Sequence, residues 1–293
     1  MKKLFALLLA LLMVFSIVAC GEEDDPSQDK VINIGVAEMT FTDENTGDIF
    51  TYEYLTSTTI IITEFKAANY EPHVVTIPAT VIVETQKKGS SETTTREMDG
   101  AAIGEQAFYA KSGVSELRFA ADSKLTTIGA YAFASCELLN TVVLPASLVE
   151  IEECAFYGCT ALTSVTMAEG LTTIGDSAFS DCGAMTELVL NEGLLTVGKQ
   201  AFYNCDGILS VTLPASIEKI GLYAFSTQLR GYEIEVEVEV EGEPAQGEGE
   251  GEAEKVTETK TEKIDVVFNT VAGSYAADYI ANPPTAESEA DAD

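Results

Sequence analysis

Apolar positions along this chain recur in one fixed register. From about Gly100, each block reads Leu, two residues, Val or Leu, one residue, Leu, a Pro or small residue, another Leu, two residues, Ile-Gly, two residues, Ala-Phe. The phenylalanines are Phe108, Phe133, Phe156, Phe179, Phe202 and Phe225, separated by 25, 23, 23, 23 and 23 residues. Inward positions follow coil by coil: Val114, Leu117, Phe119; Leu139, Val142, Leu144; Leu162, Val165, Met167; Met185, Leu188, Leu190; Ile208, Val211, Leu213. The last two of each trio alternate with polar or small residues, as a strand buried on one face requires. A second apolar pair closes each coil, as in Leu148 with Ile151 or Leu171 with Ile174. A period this strict predicts a solenoid in which each repeat is one coil stacked on the last. The expected coil is right-handed and β-rich, with one main strand and a short helical or 3₁₀ turn that drives the phenylalanine ring inward.

The flanks break this register. Residues 31–99 carry alternating and β-branched runs (VINIGV, EMTFT, IFTYEYL, TIIITEF, HVVTIPATVIV) with turn signals at Asp43–Asp48 and Gly89–Thr95, so they read as a hairpin cap on repeats spanning 100–231. Residues 232–282 contain two alternating segments around a Gly/Glu-rich stretch, which predicts a hairpin with a disordered loop at about 242–253. Lys255, Lys260 and Lys263 are expected to offset glutamates on the opposite strand. Ala272–Asn282 reads as a short amphipathic helix with Tyr275 and Tyr279 on one face, stopped by Pro283 and Pro284. Residues 283–293 form an acidic solvated tail.

The beginning of the chain is an address. Two lysines followed by an apolar run over residues 1–19 make a secretion signal. The run ends in Ile17-Val18-Ala19-Cys20, which resembles the lipobox of bacterial lipoproteins and implies lipidation of Cys20 after cleavage. Two or more acyl chains make a stable anchor. Residues 20–30 would then be the anchor and a flexible spacer, and the expected location is extracytoplasmic, lipid-anchored to the bacterial cell membrane or cell surface. Losing Lys2 and Lys3 leaves 14 basic against 48 acidic side chains, a formal charge of −34. Such a field repels nucleic acid and anionic head groups.

The string from Leu138 to Cys159, LLNTVVLPASLVEIEECAFYGC, resembles the BspA-like class of bacterial leucine-rich repeats. The resemblance covers roughly residues 50–282 and implies a leucine-rich-repeat solenoid that works as a cell-surface adhesion or protein-binding module, with no catalytic residues and no cofactor. Departures are local: two extra residues within Ala120–Leu125, Lys111 in place of the first cysteine, Glu152 in place of a glycine, and the Glu-rich insertion. Where ordinary leucine-rich repeats carry an asparagine, this chain has Ser147, Gly170, Gly193 and Ser216, so no asparagine ladder is available.

Candidate chemistry is sparse. Cys136, Cys159, Cys182 and Cys205 each follow a repeat phenylalanine by three residues and read as a buried thiol ladder. Neighbouring coils bring them within disulfide range, the alternative, whereas a linear row offers zinc no tetrahedral pocket. Cys154 occupies a more open place, as a free thiol or an inert substitution. His73 is the one histidine and reads as a strand-end residue, which removes most nucleophilic and general-base arrangements. Asp43–Asp48 reads as a hairpin turn rather than a weak calcium loop. No glycine pair sits in a phosphate-binding context. The chain is expected to be no enzyme.

What remains is a surface. Outward strand residues form two columns, Glu116, Thr141, Ser164, Glu187 and Ser210 in one, and Arg118, Val143, Thr166, Val189 and Thr212 in the other. Tyr109, Tyr157 and Tyr203 stand beside the phenylalanine turns, with Tyr131 and Tyr223 nearby, as anchors for an extracellular protein or glycan or as packing between coil edges. The other function class is an envelope scaffold or spacer with no specific soluble ligand.

Overall fold

The computed structural model describes residues 39–69, 71–86, 93–225, 232–241, 255–264 and 266–283. The signal, Cys20, the spacer, VINIGV, most of the expected 89–95 hairpin tip, the 242–253 loop and nearly all of the tail lie outside the described residues. The chain divides into two compact units, residues 37–83 with 96–293 and residues 1–36 with 84–95. Of the latter, the described part is the strand ends at 84–86 and 93–95; the repeats belong to the former.

The first strands are β1 (Thr40–Thr42), β2 (Ile49–Tyr54), β3 (Thr59–Lys66), β4 (His73–Ile77), β5 (Thr80–Gln86) and β6 (Thr93–Ile103). Two kinds of strand then alternate. Main strands are β7 (Val114–Phe119), β9 (Thr141–Val143), β11 (Ser164–Thr166), β13 (Glu187–Val189) and β15 (Ser210–Thr212). Two-residue strands are β8 (Thr127–Ile128), β10 (Glu150–Ile151), β12 (Thr173–Ile174), β14 (Thr196–Val197) and β16 (Lys219–Ile220). A ribbon of β17 (Tyr232–Glu241) and β18 (Lys255–Ile264), then β19 (Val267–Asn269) and helix α1 (Tyr275–Ala281), complete the order.

Each kind of strand stacks only on its own kind, in parallel. The two-residue strands run β8-β10-β12-β14-β16 from the end of β6, with Ile103, Ile128, Ile151, Ile174, Val197 and Ile220 in register. The main strands form two sheets, β4-β7-β9-β11 and β13-β15-β19, so hydrogen bonding of this ladder pauses between the coils of Phe156 and Phe179. Beside the pause, the Asn191 side-chain amide donates to the Met167 carbonyl at 2.9 Å. The expected inward residues are buried, except that Phe119 and Val165 are partly open.

The helical or 3₁₀ turn expected before each phenylalanine is instead a string of tight turns. Two residues before and two after the ring, the backbone enters the left-handed region: Tyr131 at φ 57° and Ser135 at 58°, Cys154 at 54° and Gly158 at 69°, Ser177 at 53° and Asp181 at 60°. A helix cannot carry φ > 0 every fourth residue. The turned N–H groups reach the next coil, as in Tyr131 N to Glu153 O (3.0 Å), Phe133 N to Ala155 O (2.7 Å) and Ser135 N to Tyr157 O (2.7 Å). This third ladder is what holds the rings in line. Successive centroids from Phe108 to Phe225 lie 4.7 to 5.4 Å apart, with interplanar angles falling from 26° to between 1° and 8°.

The stack extends past the repeats at both ends. Phe65 stacks on Phe108 at 4.7 Å, and its N–H donates to Ala107 O, so β3 with β4 already follows the path of a coil. At the other end β19 pairs with β15, and Phe268 takes the register position beside Val211, its ring edge-on to Phe225. Helix α1 closes this end. Ser274 caps it by accepting from Ala277 N; Ala276 and Tyr279 are buried, and the Tyr279 hydroxyl donates to Gly221 O, while Tyr275 stays open. In the register of the ribbon, Lys263 stands opposite Glu233 and Lys255 opposite Glu241, whereas Lys260, also expected to offset a glutamate, stands opposite Val236.

Candidate binding surface

The main strands place the two predicted columns as the alternation required. Glu116, Thr141 and Ser164 follow one another in the register of one sheet, and Glu187 and Ser210 in that of the other; beside them run Val143 with Thr166 and Val189 with Thr212. The caps lengthen both columns, a feature the repeat register alone did not reveal. Val74 pairs with Glu116 and Thr76 with Arg118; Val267 pairs with Ser210 and Asn269 with Thr212. Arg118 Nε donates to Glu116 Oε1 at 2.6 Å along the same strand, so Glu187 is the one column charge outside an ion pair in these fourteen positions. The face is thus close to neutral and exposed at Val143, Val189 and Val267, on a chain whose formal charge is −32.

The tyrosines sit on the turn ladder, a different side of the coil from the strand columns. Tyr109 and Tyr157 are exposed at 48% and 40%, and Tyr203 is half-buried. The intervening coils carry Ala134 and Ser180 at the same place, and both of these are buried, so large and small residues alternate up this edge. Asp181 in the next coil raises the pKa of the Tyr157 hydroxyl, and Asn204 Nδ2 from the coil beyond donates to Asp181 Oδ1 at 2.9 Å. Hydrogen bonding to Cys154, with the nearby charge of Glu153, pushes the Tyr131 hydroxyl up to about 12.

The cysteines divide by place. The thiols of Cys136, Cys159, Cys182 and Cys205 donate to the carbonyls of Phe108, Phe133, Phe156 and Phe179, at 3.0 to 3.2 Å, so each caps the phenylalanine of the coil before. All four are buried. Burial pushes Cys136 and Cys205 up to about 12 and Cys182 well above its usual range, which disfavours the thiolate any chemistry would need. Cys154 is partly exposed, yet burial still raises its pKa against the opposing bond from Tyr131. Among the described residues no group of three or more His, Cys, Asp or Glu side chains is arranged to hold a metal ion. Serine partly replaces the missing asparagine ladder: Ser147 Oγ donates to Leu125 O and Ser216 Oγ to Leu194 O, both at 2.8 Å.

The turn at Asp43–Asp48 is a hairpin turn. Asp43 Oδ1 accepts from Asn45 N and Thr46 N, and Asp48 turns inward to His73, so the two carboxylates do not converge.

Residues 101–230 match the family model for the BspA-type leucine-rich repeat region, in six copies. By that match the repeat region belongs to the BspA-type leucine-rich repeats. Among curated proteins none matches the chain. Solved structures similar to it include a leucine-rich repeat protein of T. pallidum, 25% identical, covering 61% of this chain and 81% of that one, with a TM-score of 0.47. A leucine-rich cell surface protein of Faecalibacterium prausnitzii is 22% identical over 64% of this chain and 52% of its own, with a TM-score of 0.46. The pneumococcal vaccine antigen PcpA is 19% identical over 64% of this chain and 47% of its own, with a TM-score of 0.39.

Proposed function

We propose that this is a non-catalytic cell-surface protein, tethered by a lipid on Cys20, whose solenoid binds an extracellular protein. One observation carries the reading. In a chain with 48 acidic side chains, the strand face holds one ion pair and one further carboxylate among fourteen column positions, so a partner meets little of the charge repulsion present elsewhere. Short hydroxyls and valines there supply broad contact, and the tyrosine edge supplies the residues that concentrate binding energy. A glycan is the second ligand class the surface would take.

The test is a pull-down with the soluble domain, residues 31–293, followed by binding measurements on the captured protein. Changing Tyr157 and Tyr203 together to Ala should weaken binding at least tenfold, about 1.4 kcal/mol; full binding by the double variant removes the tyrosine edge from the site. Replacing Cys20 by Ser should move the protein from the membrane pellet to the medium, and unchanged fractionation would defeat the tether. The influence of Asp181 on the Tyr157 hydroxyl across the coil boundary favours a second reading, an envelope spacer in which the tyrosines pack between coil edges. Under that reading the pull-down yields no partner whose capture depends on the strand columns.

A further inference from the structure

The N-terminal cap holds a buried carboxylate that the binding surface does not use. Asp48, 1% exposed, lies at the end of the turn before β2. Its Oδ1 accepts from Ala68 N at 2.9 Å, and its Oδ2 lies 2.9 Å from His73 Nε2. The other ring nitrogen, His73 Nδ1, lies 2.8 Å from the Glu71 carbonyl. A carbonyl can only accept, and an ionised carboxylate can only accept, so both contacts are made together when both ring nitrogens carry protons. Neutral imidazole has one N–H and must give up one of them.

The ring sits where three parts of the cap meet. Asp48 comes from the β1–β2 turn, Ala68 and Glu71 from the loop between β3 and β4, and His73 opens β4, the strand that lies on the first coil. There His73 N donates to Gly113 O, and His73 O accepts from Ser115 Oγ at 3.0 Å. Asp48 supplies the charge acting on the ring. Glu71 faces it with its main chain, Asp43 spends its carboxylate on its own turn, and the first coil meets His73 through a carbonyl and a hydroxyl, neither of which titrates.

The geometry points to a proton-operated latch: doubly protonated His73, held between Asp48 and the Glu71 carbonyl, fastens Glu71 and the start of β4 to the β1–β2 turn, where Asp48 also holds Ala68, and loss of one proton loosens it. Burial pulls the ring's pKa down, but the Glu71 carbonyl and Asp48 outweigh it, so the folded value lies above the ordinary 6.5. A raised histidine stabilises the fold fully below the unfolded value, and that contribution is lost as pH rises through the folded one. The latch is therefore closed in acid and opens on the alkaline side of 6.5. A solenoid needs its ends covered, so the device acts at the place where the stack is most easily opened.

Because the chain has one histidine, its ring nitrogens in a ¹H–¹⁵N spectrum of the full chain report this site alone. The expected titration midpoint lies above 6.5. Protection of the Ala68 amide, corrected for the intrinsic exchange rate, should fall at least threefold from one pH unit below that midpoint to one unit above. Asp48→Asn should return the midpoint to 6.5 or lower. His73→Gln keeps a donor toward Asp48 but does not titrate, and Ala68 protection should then be level with pH. A wild-type midpoint at or below 6.5, a midpoint unmoved by Asp48→Asn, or a persisting pH dependence in His73→Gln would overturn the latch.

Discussion

Gly198→Ala should separate the stack at the coil of Phe202. A Cβ built there would lie 2.4 Å from the Gly175 carbonyl carbon and 2.5 Å from Asp176 N, both backbone atoms of the preceding coil. The φ of Gly198 is outside the left-handed region, so the cost is one of space. Relief to an ordinary contact needs the coils to part by about 1 Å, which stretches Gly198 N to Ile174 O (2.8 Å), Ser177 N to Lys199 O (2.8 Å) and Lys199 N to Asp176 Oδ1 (2.7 Å) beyond hydrogen-bonding range. At roughly 0.5 to 1.5 kcal/mol net for each bond, the loss is about 2 to 4 kcal/mol, overlapping the usual cost of overpacking. Gly183→Ala is the matched control. Its Cβ would meet nothing nearer than Asn204 O at 3.9 Å, so a rigidified unfolded chain should leave it neutral or up to about 1 kcal/mol more stable. Thermal melts by circular dichroism should show Gly198→Ala falling by about 5 to 15 °C and Gly183→Ala holding or rising. If the two variants melt together, the close approach of coils at Gly198 is not what fixes that glycine.

Phe156→Ala removes a fully buried ring stacked at 5.2 and 5.0 Å on its two neighbours and should cost about 3 to 5 kcal/mol in urea unfolding; a loss under about 1 kcal/mol would mean the ladder is ornamental. Iodoacetamide at pH 8, read by peptide mass mapping, should spare Cys136, Cys159, Cys182 and Cys205 in the folded chain and modify Cys154 slowly, faster as pH passes 9, because burial raises that thiol. Rapid alkylation of the buried four without denaturant would contradict their placement. Tyr157→Phe removes an exposed hydroxyl near Asp181 and should shift the melting temperature by no more than about 2 to 4 °C, the effect of roughly 1 kcal/mol. Truncation at Gly193 removes β14 to β19 and α1, leaving Ile174 and Phe179 on a bare end; the product should aggregate, and a soluble fragment that melts cooperatively would count against the end caps.

Period alone was enough to place the core. Residues such as Val142, Leu188 and Val211 are inward because alternation on a strand leaves them no other side, and the 23-residue spacing sets each ring over the next. The turn ladder was harder to read. Its left-handed positions are filled by Tyr131, Cys154, Ser177 and Gln200, residue types with no particular liking for φ > 0, and only Gly158, Asp181 and Asn204 bear the usual signature. Coil-to-coil hydrogen bonds hold those residues there, and local propensity cannot register a partner that lies 22 or 23 residues away. The latch was hidden for the same reason: Asp48 and His73 are 25 residues apart in a cap without a repeat, so no pattern joins them.

The first and last coils show how far the chain can stray from its register without losing the stack. Phe65 has no Ala-Phe signature and no cysteine after it, yet it lies on Phe108 because β3 and β4 deliver it between the same two ladders. At the far end, the ribbon of β17 and β18 stands between the Phe225 turn and the main strand that completes its coil. The detour is tolerable because closing a longer loop adds only about 0.6 kcal/mol for each doubling of length, provided the returning strand brings an apolar residue to the inward position. Phe268 does so, falling into register beside Val211. What selects a residue inside the coil is therefore its meeting with the coils above and below, whereas outward residues answer only to solvent and to whatever docks there. That separation lets a chain this acidic keep a nearly neutral strand face: glutamates can gather in the ribbon and loops while Thr141, Val143, Ser164 and Thr166 stay uncharged, at no cost to the packing behind the face.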